Sequence, residues 1–132
     1  MVNSLFVNLP IENLKRTVGF FTSLGFTFNP QFTDEQSTCM IVSENIFVML
    51  LEKPKFEGFI DKPVAPAEMT EAILALSCDS AEEVRTLAEQ AFAGGGRRVN
   101  DPEDMGFMYS WGFEDLDGHL WELFWMNPDH VM

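Results

Sequence analysis

The same order of predicted elements occurs twice along the chain. Residues 4–53 and residues 71–126 each predict a strand, a helix and three further strands. When the first half is shifted by 67 positions, Phe6 falls on Ile73 and Asn13 falls on Ser80, so each first strand enters its helix at the same point. Two βαβββ modules predict an α+β fold, a cup-shaped mixed sheet with helices outside and a concave inner face.

Polar residues and glycines mark the ends of both predicted helices. Asn13 precedes LKRTVGFFTSL and predicts an N-terminal cap. Ser80 with Glu83 three residues later predicts a capping box in front of EEVRTLAEQAF. Gly25 and the run Gly94–Gly96 predict the stops. The hairpin dipeptide Asp-Gly between the last two strands predicts a tight turn with positive φ at both central positions.

A segment without periodicity separates the two halves. KPKFEGFIDKPVAPAEM holds three prolines and one glycine, which predicts a connection without regular structure. Such a length is typical of a lid or of a crossover between halves. We predict a single domain in residues 1–132, made of module one (about 4–53), a linker (54–69) and module two (about 70–126).

Charge and cysteine usage limit the partners and the compartment. The net charge of −13 disfavours nucleic acid and anionic membrane surfaces as partners. No stretch is long and apolar enough to predict a membrane span. Cys39 and Cys78 are isolated in apolar runs, which predicts free thiols rather than a disulfide framework. We therefore expect a cytoplasmic protein.

Two stretches of the sequence carry a family resemblance. The opening NLPIENLKRTVGFFTSLGF and the late EDLDGHLWELF resemble the vicinal oxygen chelate superfamily, which includes glyoxalase I, bleomycin resistance proteins, fosfomycin resistance enzymes and extradiol dioxygenases. DLDGHLWEL is the most specific piece, and the opening is similar to a glyoxalase-like branch of unassigned role. The resemblance covers nearly the whole chain. It implies the glyoxalase/bleomycin resistance fold and a homodimer, with cups completed within a chain or between chains.

The resemblance also implies a divalent metal held by four inward side chains of His, Gln or Glu. The metal acts as a Lewis acid on two neighbouring substrate oxygens. In this sequence the four positions fall on Phe6, Leu50, Ile73 and Glu122. Only Glu122 has a donor atom for Ni, Zn, Mn, Mg or Fe, so we predict no resident metal. The alternative is a displaced oxygen-rich site formed by Asn8, Glu52, Glu71 and Glu122.

Glu122 and His119 lie three residues apart near the C-terminus. Side chains alternate between the faces of a strand, so the two residues are predicted on opposite faces. His119 lies next to the turn and is predicted to be exposed or capping. A carboxylate at Glu122 can act as general acid or base, or hold one polar atom of a ligand. The structural alternative for Glu122 is an ion pair with an arginine such as Arg16, Arg97 or Arg98.

Three functions follow from these observations. The first is metal-independent binding of a small, partly apolar molecule, aromatic or cationic, in a cup. The second is a lyase or isomerase of lactoylglutathione-lyase type. It would depend either on a metal or on Glu122 as a base, so the sequence does not decide whether the protein is an enzyme. The third is a dimeric scaffold whose cup is filled by apolar side chains. For the first, the predicted ligand pocket consists of Phe6, Asn8, Leu50, Ile73, Trp111 and Glu122.

Overall fold

The computed structural model describes residues 1–129, and it has the α+β fold class that the repeat predicts. The chain forms two compact units, residues 1–64 and residues 65 onward. Each unit contains one mixed sheet and the helix that connects its first two strands. No helix within residues 1–129 combines the length and the apolarity needed to cross a membrane.

Unit 1 contains a four-stranded sheet in the order β1-β4-β3-β2. Strand β1 runs parallel to β4, while β3 pairs antiparallel with both β4 and β2. The predicted strand over residues 26–32 is shorter, because a 3-10 turn begins at Pro30. A short helix at the start of the linker was not predicted. The elements are β1 (Leu5–Ile11), α1 (Leu14–Ser23), β2 (Thr27–Asn29), β3 (Ser37–Ser43), β4 (Ile46–Glu52) and α2 (Lys53–Glu57).

Helix α1 begins where the sequence predicts it. The Asn13 side chain accepts a hydrogen bond from the Arg16 backbone N–H at 2.9 Å. The carboxylate of Glu52, at the end of β4, accepts a second bond from the Leu14 N–H at 3.0 Å. Two of the N–H groups that every helix leaves unpaired at its start are thus satisfied. Phe21 is completely buried and fastens the helix to the sheet.

Unit 2 contains a five-stranded sheet with the core order β5-β9-β8-β6, and β7 also pairs with β8. Strand β5 runs parallel to β9, and β8 pairs antiparallel with β9. The arrangement of the first and last strands therefore matches that of unit 1. The elements are β5 (Ile73–Ser77), α3 (Ala81–Ala93), β6 (Arg97–Arg98), β7 (Glu103–Asp104), β8 (Met108–Glu114) and β9 (Leu120–Met126).

The Ser80 cap of α3 is confirmed, and Glu83 reaches back to Asp79 rather than to the Ser80 N–H of a capping box. Ser80 Oγ accepts from the Glu83 N–H at 3.0 Å, and Glu83 Oε1 accepts in return from the Asp79 N–H at 2.8 Å. The helix then buries Val84 and Ala88, four residues apart on one face, against the sheet. Small residues on this face let the helix approach the large aromatic side chains of β8 and β9 closely.

The turn between β8 and β9 differs from the predicted one. Among residues 1–129, only glycines adopt positive φ, so Gly118 does (+85°) and Asp117 does not. The Gly118 N–H donates to the Asp115 carbonyl at 3.1 Å, and the Asp115 N–H donates to the His119 carbonyl at 3.0 Å. This is a three-residue loop that ends in a left-handed glycine, and it needs positive φ at one position only.

Candidate functional site

The face of the unit 2 sheet that carries Glu122 lies opposite helix α3. Glu122 is on the central strand β9, in register with Ala75 of β5 on one side and Gly112 of β8 on the other. Two residues further on, Phe124 is in register with Ser77 and Ser110. We use the name Glu122 face for this surface, which is formed by Ile73, Ala75, Ser77, Met108, Ser110, Gly112, Glu114, Leu120, Glu122, Phe124 and Met126.

Glu122 is half-buried and has no hydrogen bond or ion pair with any residue from 1 to 129. Two of the three arginines expected as partners in the structural alternative pair with other acids. Arg97 binds both carboxylate oxygens of Glu114, which lowers the pKa of Glu114, and Arg98 binds Asp101 at 2.9 Å. A half-buried carboxylate without a cation in the fold can accept hydrogen bonds from a ligand.

The residues beside Glu122 leave lateral space around the carboxylate. Ala75 and Gly112 are the smallest residue types, and they occupy both cross-strand positions next to it. Leu120 and Phe124 lie two residues away on the same strand and are half-buried. The neighbours of this carboxylate are therefore apolar along its own strand and small on the two adjacent strands. This arrangement suits a small, mostly apolar molecule with one polar group.

Trp111 lies on the other face of the sheet, not beside Glu122. It is 7% exposed and packs edge-to-face on Phe92 of α3, with ring centroids 5.3 Å apart. Its indole N–H donates to the Asn100 carbonyl at 3.0 Å. Phe113 and Trp121 stack on the same side. The predicted ligand pocket placed Trp111 with Glu122 and is wrong for this residue, because the aromatic residues of β8 form the core under α3 rather than a ligand surface.

His119 is buried rather than exposed, so this prediction is wrong. The side chain is about 5% exposed, and its Nδ1 lies 2.9 Å from Glu71 Oε1. In the turn before His119, the Asp115 carboxylate accepts hydrogen bonds from the Asp117 and His119 N–H groups. Glu71, one of the predicted metal ligands, therefore has a partner within the fold.

The most specific piece of the family motif stabilises the turn in front of β9. Asp115 Oδ1 accepts the two backbone N–H groups, and Oδ2 accepts the Trp121 indole N–H at 2.9 Å. Burial raises the pKa of the Asp115 carboxyl, and nearby His119 and these hydrogen bonds oppose the shift. The first aspartate and the glycine of DLDG therefore act on backbone geometry, and they fix the start of the strand that carries Glu122.

In unit 1, Phe6 and Asn8 share a face, as predicted, and Leu50 does not join them. Phe6 is 48% exposed and stacks on Phe47 with centroids 4.7 Å apart, whereas Leu50 is fully buried in register with Leu9. The predicted position on β4 was one residue too far along the strand. Met49 is the residue in register with Asn8, as Glu122 is with Ala75.

Glu52 is also on the wrong face for the displaced oxygen site. It is in register with Ile11 and follows Leu50 by two residues, so it points to the α1 side, where it caps Leu14. There it borders an open groove of about 500 Å³ that is lined by Asn13, Leu14, Lys15, Val18, Asp34, Glu35 and Glu52. Residues 1–129 contain no group of three or more His, Cys, Asp or Glu side chains arranged to hold a metal ion.

The donor atoms on these strands do not fit the family metal. Phe6 and Ile73 offer none, Met49 offers a soft thioether, and Glu122 is the one carboxylate among the four strand positions. Ni²⁺, Zn²⁺, Mn²⁺ and Fe²⁺ require imidazole or oxygen ligands in larger number.

Comparisons with known proteins agree with this architecture. Residues 3–43 match the family model described as bleomycin resistance protein-like N-terminal. Curated proteins gave no match. A hypothetical protein, SA1046 from S. aureus, is 28% identical over 94% of both chains, with a TM-score of 0.80.

Two further solved structures carry names from the superfamily. A glyoxalase-related enzyme from Fulvimarina pelagi is 18% identical, with a TM-score of 0.80 over 95% of this chain and 88% of that one. The fosfomycin resistance protein FosX from Listeria monocytogenes is 20% identical, with a TM-score of 0.72 over 98% of both chains. The chain thus has the glyoxalase/bleomycin resistance fold, and its resemblance to the vicinal oxygen chelate superfamily is confirmed.

Proposed function

We propose that this protein binds a small, partly apolar molecule on the Glu122 face without the metal of the family. The observation that supports this most strongly is the half-buried Glu122 carboxylate, which has no partner among residues 1–129. An ionised carboxylate accepts hydrogen bonds only, so it favours a ligand with an N–H donor or a positive charge. The net charge of −13 raises the local concentration of such cations.

The test for metal independence is elemental analysis of untagged protein purified without chelators. Melting scans with Mn²⁺, Ni²⁺, Zn²⁺ and Mg²⁺ accompany it, because a ligand that binds the folded state raises the melting temperature. We expect no stoichiometric metal and no upward shift. A stoichiometric metal, or a clear shift with one of these ions, would overturn the metal-free proposal.

The test for ligand binding is a thermal-shift screen of small organic amines and matched neutral molecules in the presence of EDTA. Hits are titrated by calorimetry against wild type and Glu122→Gln. The control Glu89→Gln makes the same change of charge at an exposed position on α3. We expect Glu122→Gln to weaken amine binding about tenfold or more, because a hydrogen bond to a charged group is lost. Equal weakening in both variants would show a general effect of charge and contradict the proposal.

The same carboxylate suits proton transfer from a bound molecule, with Glu122 as the base, which is the second candidate function. Glu122 is accessible from the face where a ligand would lie. The small residues Ala75 and Gly112 on the two adjacent strands leave room for a reacting atom. Mass spectrometry of each hit after incubation with protein and EDTA distinguishes binding from turnover. Conversion that disappears in Glu122→Gln favours an isomerase or lyase, and unchanged hits favour a binding protein.

The assembly and the compartment are proposed as a homodimer in the cytoplasm. Free thiols at Cys39 and Cys78 and the acidic surface support an intracellular protein. The family resemblance supports the dimer. Light scattering after size exclusion measures the mass directly, and a monomer at micromolar concentration would contradict the dimer.

A further inference from the structure

Ser110 is a buried polar residue on the Glu122 face without a hydrogen-bond partner among the described residues. It is 8% exposed, and its hydroxyl makes no hydrogen bond with any residue from 1 to 129. Buried polar groups in folded proteins are nearly always hydrogen-bonded. Within these residues, no fully buried side-chain oxygen or nitrogen lacks a partner, so the Ser110 hydroxyl is reachable from outside. A nearly buried, reachable and unpaired hydroxyl is what a ligand contact requires.

The strand register places this hydroxyl one row away from the Glu122 carboxylate. Ser110 is in register with Phe124, and Gly112 is in register with Glu122, so Ser110 and Glu122 are diagonal neighbours on one face. Such neighbours lie about 7 Å apart across antiparallel strands. Phe124 offers an aromatic ring between the two polar groups, and Gly112 has no side chain that would stand in the way.

We infer that Ser110 is a second ligand-binding residue and that, with Glu122, it selects a small organic cation bearing a hydrogen-bond acceptor close to its charge. This inference rests on the proposed function and names its ligand class. Glu122 binds the charged nitrogen, the Ser110 hydroxyl donates to the acceptor, and the apolar part of the ligand contacts Phe124. The diagonal spacing fits an acceptor about four covalent bonds from the nitrogen.

A pair of probes isolates the contact with Ser110. 3-Phenoxypropylamine has an ether oxygen four bonds from its ammonium nitrogen, and 4-phenylbutylamine has a methylene group in the same place. Both carry the same charge and the same ring. Calorimetry or NMR titration with EDTA present, up to about 10 mM, gives the ratio of their affinities. For wild type we expect the ether to bind about fivefold more tightly, the effect of one net hydrogen bond.

Two serine variants provide the matched comparison. Ser110 and Ser77 flank Phe124 in register on either side, but Ser77 is exposed at the edge of the sheet. We expect Ser110→Ala to abolish the preference for the ether and Ser77→Ala to retain it. Each variant removes one oxygen atom, and a melting scan verifies that it is folded.

Each outcome has a defined meaning. Equal binding of both probes to wild type, or a preference that survives in Ser110→Ala, overturns the role of Ser110. If Glu122→Gln weakens both probes in that case, the proposed function still holds. No binding of either probe overturns the ligand class, and the amine screen then tests the proposed function separately. Binding of both probes that is unaffected by Glu122→Gln overturns both proposals.

Discussion

Asp115 allows the most quantitative test of how the strand carrying Glu122 is held. Its side chain is about 6% exposed, and its carboxylate accepts hydrogen bonds at 2.9–3.0 Å from three donors, two backbone N–H groups and the Trp121 indole. Asp115→Asn keeps the shape and one oxygen. Because Oδ1 serves two backbone donors, we expect the remaining oxygen to stay there, so the new amide NH₂ faces the indole N–H.

We expect Asp115→Asn to lower the free energy of unfolding by about 2 kcal/mol. The indole N–H of Trp121 loses its bond to Oδ2, and a hydrogen bond to a charged group contributes about 1.5–3 kcal/mol. Removal of the buried charge of Asp115 offsets part of this cost. Urea denaturation at pH 7 measures the change as a shift in midpoint at constant slope. The melting temperature should fall by roughly 8 °C for a chain of this size.

Trp121→Phe separates this account from a general loss of stability. It removes the indole N–H, so Asn at position 115 no longer faces an unmatched donor. In the Trp121→Phe background, Asp115→Asn should cost at least about 1 kcal/mol less than in wild type, the usual coupling of contacting residues. The same cost in both backgrounds would refute the assignment of Oδ2 as the acceptor of the indole.

Three other predictions address the thiols, the acid sensitivity and the start of α1. Burial first, and then neighbouring carboxylates, raise the pKa of Cys78 to about 11. At pH 8, iodoacetamide should therefore modify Cys78 about a hundredfold more slowly than free cysteine, as followed by peptide mass spectrometry. A rate similar to that of free cysteine would contradict this prediction. The hydrogen bond from Lys55 lowers the pKa of Asp34, so the stabilisation by the ionised Asp34 carboxylate is present above about pH 4 and is lost as the pH falls further. The difference in melting temperature between wild type and Asp34→Asn should therefore become smaller as the pH is lowered. A difference that stays constant with pH would contradict this prediction. Glu52→Ala should lower the free energy of unfolding, measured by urea denaturation, by about 1 kcal/mol, because the Leu14 N–H loses its acceptor. Glu52→Gln keeps an acceptor oxygen and should lower it by less. Equal losses in the two variants would exclude the cap.

Local patterns predicted most of the fold because they act over a few residues. The caps at Asn13 and Ser80 follow from hydrogen bonds within one helical turn, and both are confirmed. The face of Glu122 follows from strand alternation once the strand is known. The resemblance to the superfamily added the name of the fold, which no short pattern contains.

The site residues that were misplaced depend on contacts between distant parts of the chain. Leu50 was assigned one residue out of register, and a shift of one residue exchanges the two faces of a strand. Glu52 was expected in the displaced oxygen site with Asn8, but its carboxylate accepts a hydrogen bond at a helix start 38 residues earlier in the chain. The burial of His119 depends on Glu71, 48 residues away, so alternation alone could not show it.

Gly112 restricts change on one side of the Glu122 carboxylate. A Cβ atom there would lie 3.2 Å from the Trp121 carbonyl oxygen, so the neighbouring backbone would have to move by a few tenths of an ångström to admit a side chain. Ala75, on the other side, belongs to an edge strand of its sheet and is exposed, so larger side chains fit there without displacing backbone. Substitutions on the β5 side can therefore reshape the space beside Glu122, whereas substitutions on the β8 side require a shift of the backbone.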